Sequence, residues 1–381
     1  MPDKLLKIAA WVAAVFAAII TALGLCDRLG VEGAVGWVFD LAAHWPKHLF
    51  LLAFAAALFA AVLKAWRPAG LASAVAALNA ALVIGAGGFA LPAKPPEHAT
   101  LVKVVSANIH RSWPALNAII AMARDYGADI ISVYEAPDDL AEAQLTALLP
   151  DMPVVSMPSQ APEGRPLVKR SFLAARTGGA DQVDVTAFAY TNSVIIRFLL
   201  PAGATPVQII TTHPPSPGWP NQRFDRNRQL QQLTDGLAVE KAFILMGDFN
   251  TTPWGRIYGA TPGIRADDPR FEGSFPAALG PLGLPIDHIK FGGGLMLVDY
   301  RVGPDIGSDR ITGLCLRRSH CPATRERLYG PTIVPRDHRA DPKPGKETLM
   351  HHAHCANARL QSQASGSHGH AEMAGAGRQP C

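Results

Sequence analysis

A chain of 381 residues has room for more than one unit, and its net charge of +4 is carried by its two ends. Residues 1–94 hold 7 Lys+Arg against 4 Asp+Glu and residues 310–381 hold 11 against 5, whereas residues 95–309 hold 17 against 22. An acidic middle argues against the broad basic face of a duplex-DNA binder. A middle without cysteine excludes a fold built on disulfides.

Three apolar segments, 8–26, 49–63 and 71–91, occupy the first domain, residues 1–94. A spanning helix takes ~20 mostly apolar residues. The second segment reaches that length when His48 and residues 64–66 sit at the interface, as Trp and Lys readily do. A cleaved signal peptide is the alternative for the first segment. Two further spans follow it, however, and Leu25-Cys26-Asp27 makes a poor small-residue cleavage site. Lys4, Lys7, Lys64 and Arg67 place the N-terminus and the 64–70 turn in the cytoplasm. Residues 27–47 read as an acidic-to-neutral loop. The third span then delivers everything after Pro92 to the outer side.

The second domain, 95–309, follows a stiff linker of Pro92, Pro95 and Pro96. Residues 101–107 form a β-branched strand ending at Asn108. Leu116, Ile119, Ile120 and Ala123 share one face of a helix over 114–126, closed by Gly127. Residues 130–134 form a buried strand ending at Glu135, and 138–149 an amphipathic helix opened by acidic residues. Short strands are expected at 154–155, 171–175, 183–189 and 193–199. Another, 207–212, ends at His213. Residues 226–237 form a polar-faced helix, 243–246 a buried strand, and 286–291 with 295–300 a final pair. Strict strand–helix alternation is lost in the middle, which points to two packed sheets with outer helices.

The stretch 243–254, FILMGDFNTTPW, sets the chemistry. Its apolar run ends at Gly247, where the absence of a Cβ permits a tight turn. Alternation along an extended chain puts Asp248 and Asn250 on one side and Phe249 on the other. A carboxylate can orient or deprotonate a water, and an amide can donate to a phosphate oxygen. Asn108, Glu135, His213 and Asp287 likewise sit just after, or inside, apolar strands. Strand ends on one rim of a sandwich converge on one pocket, and a rim of carboxylates and amides suits Mg²⁺ or Mn²⁺, not zinc. Each residue also has a plainer reading. His213 before Pro-Pro ends a strand, Asn108 sits in a turn, and Asp287 with His288 is a turn pair. Arg226 and Arg228 have two readings, as phosphate binders or, more commonly for such residues, as a helix's solvated face.

Six motifs now stand in order: SANIH (106–110), ADIISVYEA (128–136), TTHPPSP (211–217), GDFNTTPW (247–254), PIDHI (285–289) and GSD (307–309). Together they resemble the endonuclease/exonuclease/phosphatase superfamily over 95–309. Three spans ahead of such a domain resemble its bacterial membrane-anchored branch. The resemblance implies an α/β fold, a four-layer α/β/β/α (DNase-like) sandwich, preceded by three transmembrane helices. It implies a metal site of Asn108 and Glu135 with Asp309 contributing. It implies that Asp248 positions or activates water, Asn250 holds the phosphate, and His213 is a phosphate ligand or general acid. Asp287 is then the carboxylate that orients a histidine.

The family pattern closes on Ser-Asp-His, but Ser308-Asp309 is followed here by Arg310. Arginine can donate to a phosphate but lacks the protonation switch of imidazole. His288 belongs to the PIDHI motif and is a poor substitute. Composition changes at the same point. Residues 310–381 read as an irregular basic tail, from a shifted reading frame or from native disorder. If Arg310-Ile311-Thr312 is encoded CGC ATT ACC, reading two bases later restores His-Tyr. The apolar stretch 311–316 still has the character of a last strand.

The expectation is a membrane-anchored, Mg²⁺- or Mn²⁺-dependent phosphoesterase acting on a lipid-linked or small phosphoester. It resides in a bacterial inner or plasma membrane, multi-pass, with its domain facing the periplasm or exterior. Nucleic acid is the lesser partner. The alternatives are an extracellular or periplasmic nuclease, marked by a basic groove, and a non-catalytic protein whose site is broken at Arg310. An apolar-lined cleft facing the membrane favours the lipid.

Overall fold

The computed structural model describes residues 2–86, 90–94, 101–156, 171–176, 183–188, 193–200, 206–235, 237, 241–266, 273–303 and 312–318. All belong to one compact unit, Met1–Pro322.

Four helices come first: α1 (Pro2–Cys26), α2 (Gly33–Ala43), α3 (Pro46–Val62) and α4 (Trp66–Ile84). Helices α1 and α4 are each long and apolar enough to cross a membrane. Helices α2 and α3, bent by 63°, pass that test only as a pair. The stretch 27–47 is therefore not a loop. It carries α2, whose 11 residues, with a buried Asp40 among them, are too short to stand out as a span. Alanines 14, 17, 53, 60, 72 and 76 are buried between α1, α3 and α4. Small side chains let helix backbones approach closely. Val12, Phe16, Ile19, Phe54 and Leu58 point outward instead.

Two six-stranded mixed sheets follow. The first runs β11 (Leu295–Val302), β12 (Thr312–Arg318), β1 (Leu101–Asn108), β2 (Ile130–Tyr134), β4 (Phe172–Ala175), β3 (Val154–Ser156). The second runs β5 (Val183–Phe188), β6 (Ser193–Leu200), β7 (Val207–Thr212), β8 (Phe243–Asp248), β10 (Asp287–Gly292), β9 (Ile264–Arg265). Strand β12 pairs antiparallel with both β1 and β11. Residues beyond the composition break at 309 thus complete the first sheet.

Each sheet holds one parallel pair, β1 with β2 and β7 with β8. Parallel neighbours need a crossover, usually a helix. Helix α5 (Trp113–Tyr126) supplies the first and α7 (Pro220–Asp235) the second; the short α6 (Glu142–Leu148) lies between β2 and β3. Val104, Ile130, Ile209, Ile244, Met246 and Ile289 fill the space between the sheets. Leu116 and Ile119 of α5 pack on Ile131 and Val133 of the first sheet, while Leu230 and Leu233 of α7 pack on Ile210 and Leu245 of the second.

Gly247 lies within β8 and makes no turn. A Cβ there would come 2.0 Å from the Thr212 carbonyl oxygen, so the glycine is required by the close approach of β7.

Candidate active site

The C-terminal ends of the two parallel pairs face one another. Asn108 ends β1 and Glu135 follows β2; His213 follows β7 and Asp248 ends β8. The His213 Nε2 lies 3.6 Å from Glu135 Oε1 and 3.3 Å from Asp248 Oδ2. Asn108 Nδ2 donates to Asp248 Oδ2 at 3.1 Å, joining the two sheets. On the far side of Glu135, His110 Nδ1 stands 3.4 Å from Oε2.

Asp248 is almost fully buried and held from several directions. Its Oδ1 accepts from the Asn250 backbone N–H at 2.9 Å, a turn that aims both side chains into the pocket. Phe249 between them is buried under α7 and α8 (Arg256–Ala260). The Asn250 Nδ2 donates to the Pro214 carbonyl at 2.9 Å, which fixes the segment carrying His213. Glu135 and Asn250 both have left-handed backbones, at φ +49° and +50°. Asparagine tolerates this conformation, whereas glutamate pays about 1–3 kcal/mol of strain. Such strain concentrates where a side chain must be aimed.

Asp287 pairs with Asp248 in the antiparallel register of β10 and β8, but it does not line the pocket; its neighbour Ile286 does. Asp309 and Arg310 lie outside the described residues. His288 is buried with its Nε2 2.9 Å from the Thr251 carbonyl and its ring 4.6 Å from that of Tyr258. It is therefore a core histidine.

Three contributions had not been read from the sequence. Tyr134 is fully buried beneath the site, its ring 5.7 Å from that of His213. Burial pushes its hydroxyl pKa up, and the nearby Asp287 and Asp248 carboxylates raise it further. The neutral phenol accepts from Ser132 Oγ and donates to the Met246 carbonyl at 3.1 Å, bridging the sheets.

The second contribution is a roof. Leu41, His44 and Trp45, from α2 and its turn into α3, line the same 360 Å³ pocket as Asn108, Glu135, His213, Asp248 and Asn250. The third holds that roof in place. Arg226 is fully buried, donating to Asp40 Oδ1 at 2.6 Å and to the Asn250 carbonyl at 3.0 Å. Arg223 is also buried, 3.6 Å from Asp27 and 3.4 Å from Glu32. Arg226 is therefore not part of a solvated face, although Arg228 is exposed. Trp37 Nε1 donates to the Pro217 carbonyl at 2.7 Å, and Lys47 Nζ to the Pro281 carbonyl at 2.6 Å. One signal pointed this way: a lone acid at 40 amid apolar neighbours needs a partner.

Among the described residues, no group of three His, Cys, Asp or Glu side chains is arranged to hold a metal ion. The donor chemistry still fits a hard divalent cation. Mg²⁺ is bound through one or two carboxylates, with water and substrate phosphate completing its shell. Glu135 offers a carboxylate at 16% exposure beside the Asn108 amide.

Facing strand ends with carboxylates, amides and a histidine, set between two mixed sheets, make an α/β site with the groups that phosphoester hydrolysis requires. The model of the endonuclease/exonuclease/phosphatase family matches residues 105–310, and the chain belongs to that family. Members of this family are in general phosphoester hydrolases that depend on divalent metal. None of the curated proteins compared with the chain matches it. Among solved structures, an endonuclease/exonuclease/phosphatase from Beutenbergia cavernae is 17% identical, with a TM-score of 0.45, covering 57% of this chain and 72% of that one. An AP endonuclease from Archaeoglobus fulgidus is 15% identical at a TM-score of 0.43, covering 56% and 98%. Truncated TDP2 from Caenorhabditis elegans is 13% identical at a TM-score of 0.44, covering 57% and 97%.

Proposed function

We propose that the protein is a membrane-anchored, divalent-metal-dependent phosphoesterase acting on a lipid-linked or small phosphoester. The observation that carries this reading is the His213 imidazole set within 3.6 Å of both Glu135 and Asp248, under a roof from the apolar N-terminal helices. The reading takes the two sheets and their outer helices as a four-layer α/β/β/α sandwich. It takes α1, the bent α2–α3 pair and α4 as three spans of a bacterial inner or plasma membrane. The basic residues flanking α1 and α4 support a catalytic domain facing the periplasm or exterior.

Glu135 and Asn108 would hold Mg²⁺ or Mn²⁺, with Asp309 contributing. A cation held there would supply charge neutralisation for the phosphate. Asp248, held by Asn108 and Asn250, orients the attacking water and accepts its proton. The water oxygen bonds to phosphorus as the bond to the leaving oxygen breaks, and the leaving oxygen departs with that electron pair and takes a proton from solvent. His213 and the Asn250 amide donate to the phosphate oxygens as charge develops on them. Asp287, in register with Asp248, acts as a positioning residue. The acidic middle region and the apolar roof favour a lipid phosphoester over nucleic acid.

The test is hydrolysis of bis-p-nitrophenyl phosphate by the full-length protein across a Mg²⁺ titration. Glu135→Gln should move the titration to higher Mg²⁺ by at least the roughly 10–100-fold that loss of an outer-shell partner costs; an unchanged titration removes Glu135 from the metal site. Arg310→His should raise kcat by about 10²-fold, the scale of one general acid–base group. No gain in a folded variant removes the missing imidazole from the account.

A further inference from the structure

A second cavity adjoins the site. It encloses about 610 Å³ between α1, α2 and α3 and is walled by side chains such as Phe16, Ile20, Val38, Leu41, Trp45 and Leu52. The one ionisable side chain in its lining, His48, has its Nε2 2.7 Å from the Leu282 carbonyl. Leu41 and Trp45 line both this groove and the 360 Å³ pocket of Glu135 and Asp248. Phe16, Val38 and Leu52 are exposed, so the groove opens on the outward apolar faces of α1, α2 and α3. One end is thus charged and hydrogen-bonding, and the other is hydrocarbon-like.

We infer that this groove holds the hydrocarbon tail of the substrate, with the phosphoester in the Glu135–Asp248 pocket and the tail passing between Leu41 and Trp45. The inference rests on the phosphoesterase reading and narrows its substrate to a phosphoester bearing a long acyl- or prenyl-type chain. The wall of Leu41 and Trp45 that the two cavities share carries it. A groove for structural lipid alone has no need to share a wall with the pocket of Glu135 and Asp248. A small soluble ester has no need of the groove. The anchoring contacts of α2 then have a purpose, because Arg226–Asp40 and Trp37–Pro217 hold the passage in register with the strand ends.

Non-hydrolysable alkylphosphonates, methyl to decyl, titrated calorimetrically into the full-length protein in lipid nanodiscs with Mg²⁺, test this directly. Affinity should tighten by up to about fourfold per methylene that enters the groove, the equivalent of burying one CH₂. Inorganic phosphate should compete with the decyl compound, because the head occupies the polar pocket. Val38→Trp and Leu52→Trp fill the groove from half-exposed positions and should flatten the chain-length series. A flat series in the unmodified chain overturns the inference. So does an equal series in both variants, or a decyl compound indifferent to phosphate, the mark of partition into bulk lipid. Hydrolysis of methyl p-nitrophenyl phosphate, measured on the same preparation, tests the phosphoesterase reading separately.

Discussion

The two βαβ units that carry the site, β1–α5–β2 and β7–α7–β8, bury their crossover helices differently. Helix α5 has an apolar face of Ala115, Leu116, Ile119, Ile120 and Ala123 on the first sheet, and polar residues opposite. Helix α7 has few apolar residues. It buries Leu230 and Leu233 on the second sheet and buries Arg223, Arg226 and Gln229 as well. The arginines are taken up by Asp27, Glu32 and Asp40 of the helical region. One crossover helix is a lid over a core; the other is a joint between two parts of the protein. Polarity along a helix therefore marks solvent only when no partner arrives from elsewhere in the chain.

The largest expected effect comes from breaking that joint. Asp40→Ala leaves the Arg226 guanidinium buried beside its Asn227 and Asn250 contacts but without its carboxylate. Stranding one member of a buried pair costs about 3–5 kcal/mol. A thermal melt of the full-length variant should show a loss on that scale. A loss below about 1 kcal/mol would mean that the joint behaves like a surface pair.

The double variant Asp40→Leu with Arg226→Leu sharpens the contrast. Replacing both charges with apolar groups is often neutral or stabilising, so most of the lost melting temperature should return. Activity should not return with it, because Arg226 also donates to the Asn250 carbonyl. Recovery of both together would show that Arg226 serves only to attach the helices.

The same contrast explains what could be read from the sequence. Left-handed turns, not period-two alternation, aim Glu135 and Asn250, but Asn108, Glu135, His213 and Asp248 each stand at the end of an apolar run. Their meeting at one rim was legible for that reason. The last strand was legible only in part: 311–316 has the apolar character of one, but the composition from 310 onward reads as an irregular tail, whereas the strand runs over Thr312–Arg318. Helix α2 was not, because 11 residues with Asp40 among them carry no span-length signal. The fate of Arg226 was hidden too, since its partner lies 186 residues earlier and only the fold brings them together. Gly247 was read as a turn residue, whereas the parallel approach of β7 demands it. That pressure between strands leaves no mark in a single segment.

The smallest effect belongs to the other crossover helix. Ser112 caps α5, its side chain accepting from the Ala115 N–H at 3.3 Å, and Gly127 at φ +66° ends the helix. Ser112→Ala should cost about 1 kcal/mol, the usual price of a lost N-cap, seen as a small drop in melting temperature. The Mg²⁺ titration should stay where it was, because Ser112 does not line the pocket. A shift in metal response would mean that the left-handed turn at Glu135 depends on the start of α5. The Arg111 N–H donates to the Glu135 carbonyl at 2.7 Å, one residue before the cap. That bond is the route by which so local a change would reach the carboxylate. With it intact, stability and metal response should separate in Ser112→Ala, as they cannot in Asp40→Ala.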